Sequence, residues 1–389
     1  MWYVGLDVHA ETTAISVRSA KGVVVRREVV ATTISALRRA LASTRGRVRV
    51  ACEVGPLAGW IKRSLQTQLR QVVVCDRRRT RLVAPGGPKA DKIDADRLSE
   101  SLRLGVVHPV YIPDGSELQL RQLAKHYTRM VRERARVIQR LRALFLESGV
   151  RIGPNDPTYR PPIRRLAGDA AKAVARAYVR QLKTATELVE DARTLFLSAA
   201  QQSPAYEILQ SVPFIGRMRA AMLIATVGDP ARFTSRRKFW AYGGLAVVQN
   251  ISSEHRLDEG RIVRTVKSQG AHINKAAQPA LKKLLRDTAL HASLRCGPFR
   301  EVYEWHIERG KRPAIARLAL ARKIAAVVLA VWRSGNKFDP ALVQTKKTSF
   351  GVSIERAREP SAVDVVKATA LTICRPEESP LSSLHPSTG

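Results

Sequence analysis

Residues 89 to 98, KADKIDADRL, place three aspartates within six positions of a chain that carries 67 lysines and arginines against 33 acids. Asp91 and Asp94 are three apart, so on a helix both carboxylates leave one face and can reach one cation, while Asp96 points elsewhere. The same spacing also suits the first turn of an ordinary helix, where the macrodipole favours acids. Two further carboxylates stand in costly places: Asp7 in VGLDVH, flanked by Val4, Leu6 and Val8, and Glu53 at the end of VRVACE. A carboxylate within an apolar strand must be paired or bound to metal. Carboxylates are the oxygen donors that a hard cation such as Mg²⁺ takes up alongside a substrate phosphate. Two such ions can clamp the attacking and leaving oxygens of a phosphoryl transfer. On this reading the acids form a local negative hole in a basic surface, holding the cation that lets an anionic strand approach. His9, two residues past Asp7 on the same strand face, could hydrogen-bond a ligand or simply end the strand.

These residues need a frame. WYVGLDV, TTAISVRS and VVVRREVVA read as three antiparallel β-runs, with Lys21 and Gly22 at a hairpin turn. A helix around Ser35 to Leu41, the strand RVRVACEV, a helix from about Leu57 to Leu69 and the strand QVVVCD follow, which makes the region mixed α/β. After APGGPK, the segment Ala90 to Leu104 reads as a helix with Ile93, Leu98 and Leu102 available for burial, and GVVHPVYIPDG closes a first domain at residues 1–110. From Ser116 to Ser148, Leu123, Tyr127, Met130, Arg134, Val137, Leu141 and Leu144 alternate steps of four and three. That is the rhythm of a coiled coil, and equally of an amphipathic helix packed within the chain, with Arg134 the misfit. A second helical stretch from about Asp169 to Gln202 makes residues 116–202 a helical arm, suited to spacing or dimerising the flanking domains. Residues 206–340 return to globular composition, and residues 341–389 are expected to be disordered.

The net charge of +34 and the pI near 11.1 are spread over nearly every segment, so polyanions are the natural partners. Nucleic acid fits better than a membrane, because no stretch reaches the roughly 18 uncharged apolar residues a spanning helix needs. The N-terminus meets an acid by residue 7, unlike a signal peptide. Cys52, Cys75, Cys296 and Cys374 form no C-x-x-C pair, which suggests reduced thiols and a cytoplasmic, nucleoid-associated protein. No G-x-x-x-x-G-K-[ST] loop occurs, so ATP is not expected to drive the chemistry.

The order of elements, with two strand acids and a helical pair, resembles the ribonuclease H-like (RuvC-like) fold of Holliday-junction resolvases. More specifically, VGLDVHAETTAISV, CEVGPLAGW and KADKIDADRL resemble the DEDD transposases of the insertion-sequence 110 and 1111 group, whose relatives include the Piv-type DNA invertases. The likeness continues through ILQSVPFIGRMRAAMLIATVGDPARF and FWAYGGLAVVQNISS, over most of residues 1–340. It implies α/β plus α architecture: a RuvC-like domain, a coiled-coil arm, and a mainly helical transposase domain with a helix-hairpin-helix-like element. It implies that Asp7, Glu53, Asp91 and Asp94 form a catalytic tetrad that holds Mg²⁺. Aligned on Gly244-Leu245-Ala246, the family's nucleophile falls at Ser252, with Ser253 in the place of the usual glycine; both serines stand as candidates. The later family pattern Lys-x-Gly-Asn appears only as SQGA, Ser268 to Ala271.

A serine hydroxyl at its free pKa is a poor nucleophile, and without the resemblance ISSE would read as a solvated loop. The tetrad must therefore reach Ser252 in space, within one chain or between the chains of a dimer or tetramer. VPFIGRMRAAML resembles a helix-hairpin-helix whose amides beside Gly216 and Arg217 would grip a phosphate, with Phe214 where glycine is usual. Arg232, Arg236, Arg237 and Lys238 could neutralise further phosphates, or serve as plain surface charge. The family likeness implies strand exchange at element ends and target DNA through a phosphoserine intermediate. In some members a structured noncoding RNA guides the choice of sequence. Two rival readings stand beside it: a metal-dependent endonuclease or junction resolvase that ignores Ser252, and an inactive nucleic-acid-binding relative.

Overall fold

Along β1 (Trp2–Val8), Val4 and Leu6 alternate with Tyr3, Gly5 and Asp7, so the strand offers two unlike faces. The computed structural model describes residues 1–44, 46–67, 71–76, 91–153, 161–258, 261–274 and 276–343, with backbone alone for 91–93, 249–258 and 261–271. The expected disorder of 341–389 therefore lies, from residue 344 on, outside the described residues. β1 occupies the centre of a five-stranded sheet with β2 (Thr12–Ser19), β3 (Val24–Ala31), β4 (Val48–Glu53) and β5 (Gln71–Cys75), in the order β3-β2-β1-β4-β5. The first three strands pair antiparallel, as their hairpin turn predicts, while β1, β4 and β5 are parallel.

α1 (Ile34–Ala42), capped by the Thr33 hydroxyl, leads from β3 to β4, and α2 (Ala58–Gln66) joins β4 to β5. Leu37, Leu41, Ile61 and Leu65 of these helices bury against Val4, Leu6, Val50 and Cys52 on one sheet face. On the other face lies α3 (Asp91–Arg103), whose Leu98 and Leu102 meet Ala51 and Cys75. The reading of this region as mixed α/β is thus what the structure shows.

The chain divides into two compact units, Met1–Gln119 and the residues from Leu120 on. The second is mainly helical. α4 (Gly115–Glu147) and α5 (Asp169–Gln201) pack on one another antiparallel: Tyr127 stacks on Phe196 at 6.1 Å, while Leu141 and Phe145 cluster with Ala175. All seven positions of the heptad rhythm in α4 are buried or half-buried. Ala175, Leu182, Val189, Ala192 and Phe196 answer from α5 at matching steps.

Beyond them come α6 (Ala205–Gln210), α7 (Arg217–Val227), α8 (Arg236–Tyr242), a ribbon of β6 (Val247–Asp258) and β7 (Arg261–Ile273), then α9 (Pro279–Leu294), α10 (Pro298–Glu308) and α11 (Pro313–Ser334). The apolar run of α11 fills the core of this unit, with Leu320, Ile324 and Val328 against Phe239, Leu285 and Phe299. ISSE is a strand rather than a loop, because RIVRTVK, rich in β-branched residues, supplies a long antiparallel partner.

Candidate active site and nucleic-acid interface

β1 and β4 run side by side with Leu6 opposite Cys52, so Asp7 and Glu53 follow at one level on adjacent strands. Alternation sends both to the face covered by α3, since Gly5 and Ala51, two residues earlier on each strand, lie beneath that helix. Tyr3 packs beside Leu98 and Leu102, and Gly5 beside Ala95 and Ser99. The helix therefore runs back along β1, and its first turn, carrying Asp91 and Asp94, comes level with Asp7. Asp94 stands four residues before Leu98, and Asp91 four before Ala95, so both positions continue the sheet-facing stripe of α3. The Asp7 and Asp94 side chains are 18% and 20% exposed. His9 Nε2 lies 3.3 Å from Asp7 Oδ2, and Arg97 Nη1 lies 3.6 Å from Asp94 Oδ1.

Among the described residues no three acidic, histidine or cysteine side chains stand close enough together to hold a metal, and the Asp91 side chain is outside that description. The donor chemistry nonetheless fits a hard cation: carboxylates at two neighbouring strand ends and on one helical turn. Asp7, Glu53, Asp91 and Asp94 are the residues that would hold it.

The third aspartate of the motif does different work. Asp96 takes Arg27 Nε at 3.1 and 2.9 Å on its two oxygens, which ties α3 to β3. Burial raises the Asp96 carboxyl, but the hydrogen bonds from Arg27 and Ser16 and the charges of Arg27 and Arg18 outweigh it and hold the group below its usual range. A depressed carboxylate stabilises the fold above its unfolded pKa, and that contribution is lost as pH falls through the folded value. Asp96→Asn is accordingly expected to be less stable than the parent at pH 7, with the gap closing below about pH 4. Denaturant titrations at both pH values check this. Cys52 and Cys75 are free and buried, and burial with the neighbouring Cys75 pushes the Cys52 thiol up to about 12.

Ser252 sits in β6 opposite Lys267, and Ser253 opposite Val266, so the two serine positions alternate across the ribbon just after a bulge between Gln249 and Ile251. The tetrad belongs to the first unit and these serines to the second.

The turn between α6 and α7 keeps the left-handed step of a helical hairpin although the residue there is Phe214, at φ 67°. Arg219 Nη1 donates to the Phe214 carbonyl at 2.7 Å. Gly216 caps α7 with extended backbone and no side-chain acceptor, and both Gly216 and Arg217 are exposed. Arg232 lies over the rings of Phe233 and Tyr242, at 4.4 and 4.5 Å, and donates to the Val227 carbonyl. Arg236, Arg237 and Lys238 are exposed in the first turn of α8. Sequence reasoning passed over Trp240, Trp305, Arg322 and Lys323, which α8, α10 and α11 bring around one cavity. The available signal was an arginine four residues from each indole, Arg236 before Trp240 and Arg309 after Trp305.

An acid-bearing mixed sheet and a mainly helical second unit, in a chain of net charge +34, define a strongly basic α/β-plus-α protein. Among the described residues no helix is long and apolar enough to cross a membrane. Residues 4–148 match the DEDD transposase family of the IS110 type, and residues 206–304 match the family described as Transposase IS116/IS110/IS902. Together the two matches span more than half of the sequence, and the chain belongs to the IS110 family of transposases. It is similar to a Sinorhizobium fredii protein named "Putative transposase y4pF/y4sB", at 22% identity over 262 residues. That alignment spans 65% of each chain, so the protein covers a little under two thirds of its relative's length.

Proposed function

We propose that the protein is a DNA transposase that exchanges strands at the ends of its own element through a phosphoserine link. What supports this best is the family match over residues 4–148, within which Asp7 and Glu53 end adjacent parallel strands and Asp91 and Asp94 belong to the helix on that sheet face. On this reading the sheet is the RuvC-like catalytic domain and these carboxylates bind Mg²⁺. When bound, such a cation neutralises phosphate charge and polarises the scissile bond.

The chain's own residues do the rest. Ser252 Oγ forms a bond to phosphorus as one strand P–O bond breaks, and the departing strand hydroxyl ends with the proton that the serine gave up. Attack by the hydroxyl of another strand reverses the exchange, so the phosphodiester energy is conserved without ATP. The open amides at Gly216 and Arg217, with Arg232, Arg236, Arg237 and Lys238, would position duplex phosphates. A structured RNA from the element's flank would delegate sequence choice to base pairing, and the charge of +34 is sufficient for both nucleic acids. Tetrad and serine would meet between copies of a dimer or tetramer, so that cutting waits for assembly.

The test is a protein–DNA adduct that survives denaturation, formed with Mg²⁺, DNA carrying the element ends and RNA from the flanks. Ser252→Ala is expected to abolish the adduct while leaving DNA binding in place. Cleavage to hydrolysed ends that is undiminished in Ser252→Ala would make the protein a metal-dependent nuclease instead. Salt-sensitive binding with no Mg²⁺-dependent product would make it an inactive relative.

A further inference from the structure

The cavity between α8, α10 and α11 has no part in that scheme. It measures about 720 Å³, within the range of pockets that hold small ligands. Its walls combine two indoles, Trp240 and Trp305, with apolar side chains such as Val302 and Val327. Every charged or titratable group in its lining is basic: Arg236, His306, Arg322, Lys323 and Arg333, with no carboxylate among them. Arg333 is engaged with the carbonyls of Pro230 and Phe233, and Arg322 Nε donates to the Leu245 carbonyl at 2.7 Å. The second guanidinium nitrogen of Arg322, Nη2, is buried without a hydrogen-bond partner.

Lys323 makes no hydrogen bond or ion pair with the described residues, and burial together with Arg236 pushes its ammonium below the usual range. Lys311 donates to His306 Nδ1 at 3.0 Å, which leaves the ring proton on Nε2. Burial, with Lys311 and Arg309, lowers that imidazole as well. Half-buried cations that press on one another are costly without a counter-charge, so the site calls for an anion. The rings narrow the class of anion. Trp240 is held by its Nε1 bond to the Arg322 carbonyl at 2.9 Å, and Arg309 packs over Trp305 at 3.7 Å, so both indoles are fixed surfaces.

A phosphate alone needs no aromatic wall, whereas a nucleotide carries a phosphate beside a flat base that stacks on one. A base inside a duplex is already stacked and cannot reach such a wall. We propose that this cavity receives one unpaired nucleotide of a nucleic-acid strand, its base against Trp240 and Trp305 and its phosphate against Lys323. The inference rests on the protein being directed at nucleic acid, but on neither the serine nor the cation.

The experiment compares the full chain binding to a short DNA duplex with one unpaired adenine, the same duplex fully paired, the RNA version of the unpaired form, and free dAMP. The expected result is about a tenfold preference for the unpaired adenine over the paired duplex. Lys323→Gln and Trp305→Leu should each remove that preference while paired-duplex affinity stays within about twofold, with melting curves confirming that both variants fold. In Lys323→Gln the log–log salt slope for the unpaired form should also fall by about one. The relative affinity of the DNA and RNA forms assigns the source of the nucleotide. Paired-duplex binding with no preference, or a preference that survives both variants, would overturn this proposal alone. Tighter binding of free dAMP than of the unpaired strand would overturn the strand as its source, and failure to bind any nucleic acid would overturn the proposed function too.

Discussion

Asp7→Asn is expected to keep the sheet and to lower Mg²⁺-dependent strand exchange about 10²- to 10³-fold, the usual effect of removing one fixed charge from a transition state. Asparagine preserves the shape of the side chain, removes its charge and turns one acceptor oxygen into an N–H donor. The position is half-buried at the end of the central strand, one residue past Leu6, and level with Glu53 on the neighbouring parallel strand. Glu53→Gln should act alike, and the double variant should lose little more than either single one, because residues that serve one centre are not additive. Rates of adduct formation together with a thermal melt separate chemistry from folding. Activity within about threefold of the parent in a folded Asp7→Asn protein would remove the tetrad from the mechanism.

Gly5→Ala should be damaging for a different reason. The added carbon would lie 2.1 Å from the Ala95 carbonyl oxygen and 2.7 Å from Ser99 N, both backbone atoms, so only a shift of α3 away from β1 makes room. Overpacking of this kind costs about 1–3 kcal/mol, a loss a denaturant titration can resolve. The same shift carries Asp91 and Asp94 away from Asp7 and Glu53. A misplacement of about 1 Å can cost 10²-fold in rate, so activity should fall even in conditions where the variant stays folded. Gly55→Ala is the natural comparison, since nothing lies within 4 Å of the added carbon there, and it should be close to neutral. A Gly5→Ala protein as stable and active as the parent would mean that α3 is not held against β1 as described.

The first unit was legible because its signals are local. Alternation marked the strands, their spacing marked the turns, and two carboxylates in apolar runs marked places where an ordinary strand would not put them. What local patterns could not supply was adjacency. That Asp7 and Glu53 are neighbours follows from the strand order β3-β2-β1-β4-β5, and that Asp96 is structural follows from Arg27, far away in the chain. The ribbon around Ser252 was missed because its charged, polar sequence becomes a strand only through pairing with β7. The indole-lined cavity was missed because its walls come from three helices, spread from Arg236 to Ser334, and a turn at Leu342.

Phe214 bears on how this protein reaches its fold. A glycine would enter the left-handed region freely and could close the turn between α6 and α7 as an early, local event. Phenylalanine pays about 1–2 kcal/mol for that conformation. Part of the offset comes from Arg219, whose Nη1 donates to the Phe214 carbonyl, and part when the Phe214 ring is covered at the margin of the core that includes Leu209, Val212 and Ile215. The part of the turn's stability that depends on the ring is therefore expected to come late, once the helices behind it have collapsed, so that the exposed Gly216–Arg217 end of α7 reaches its full order among the last features of the folding pathway.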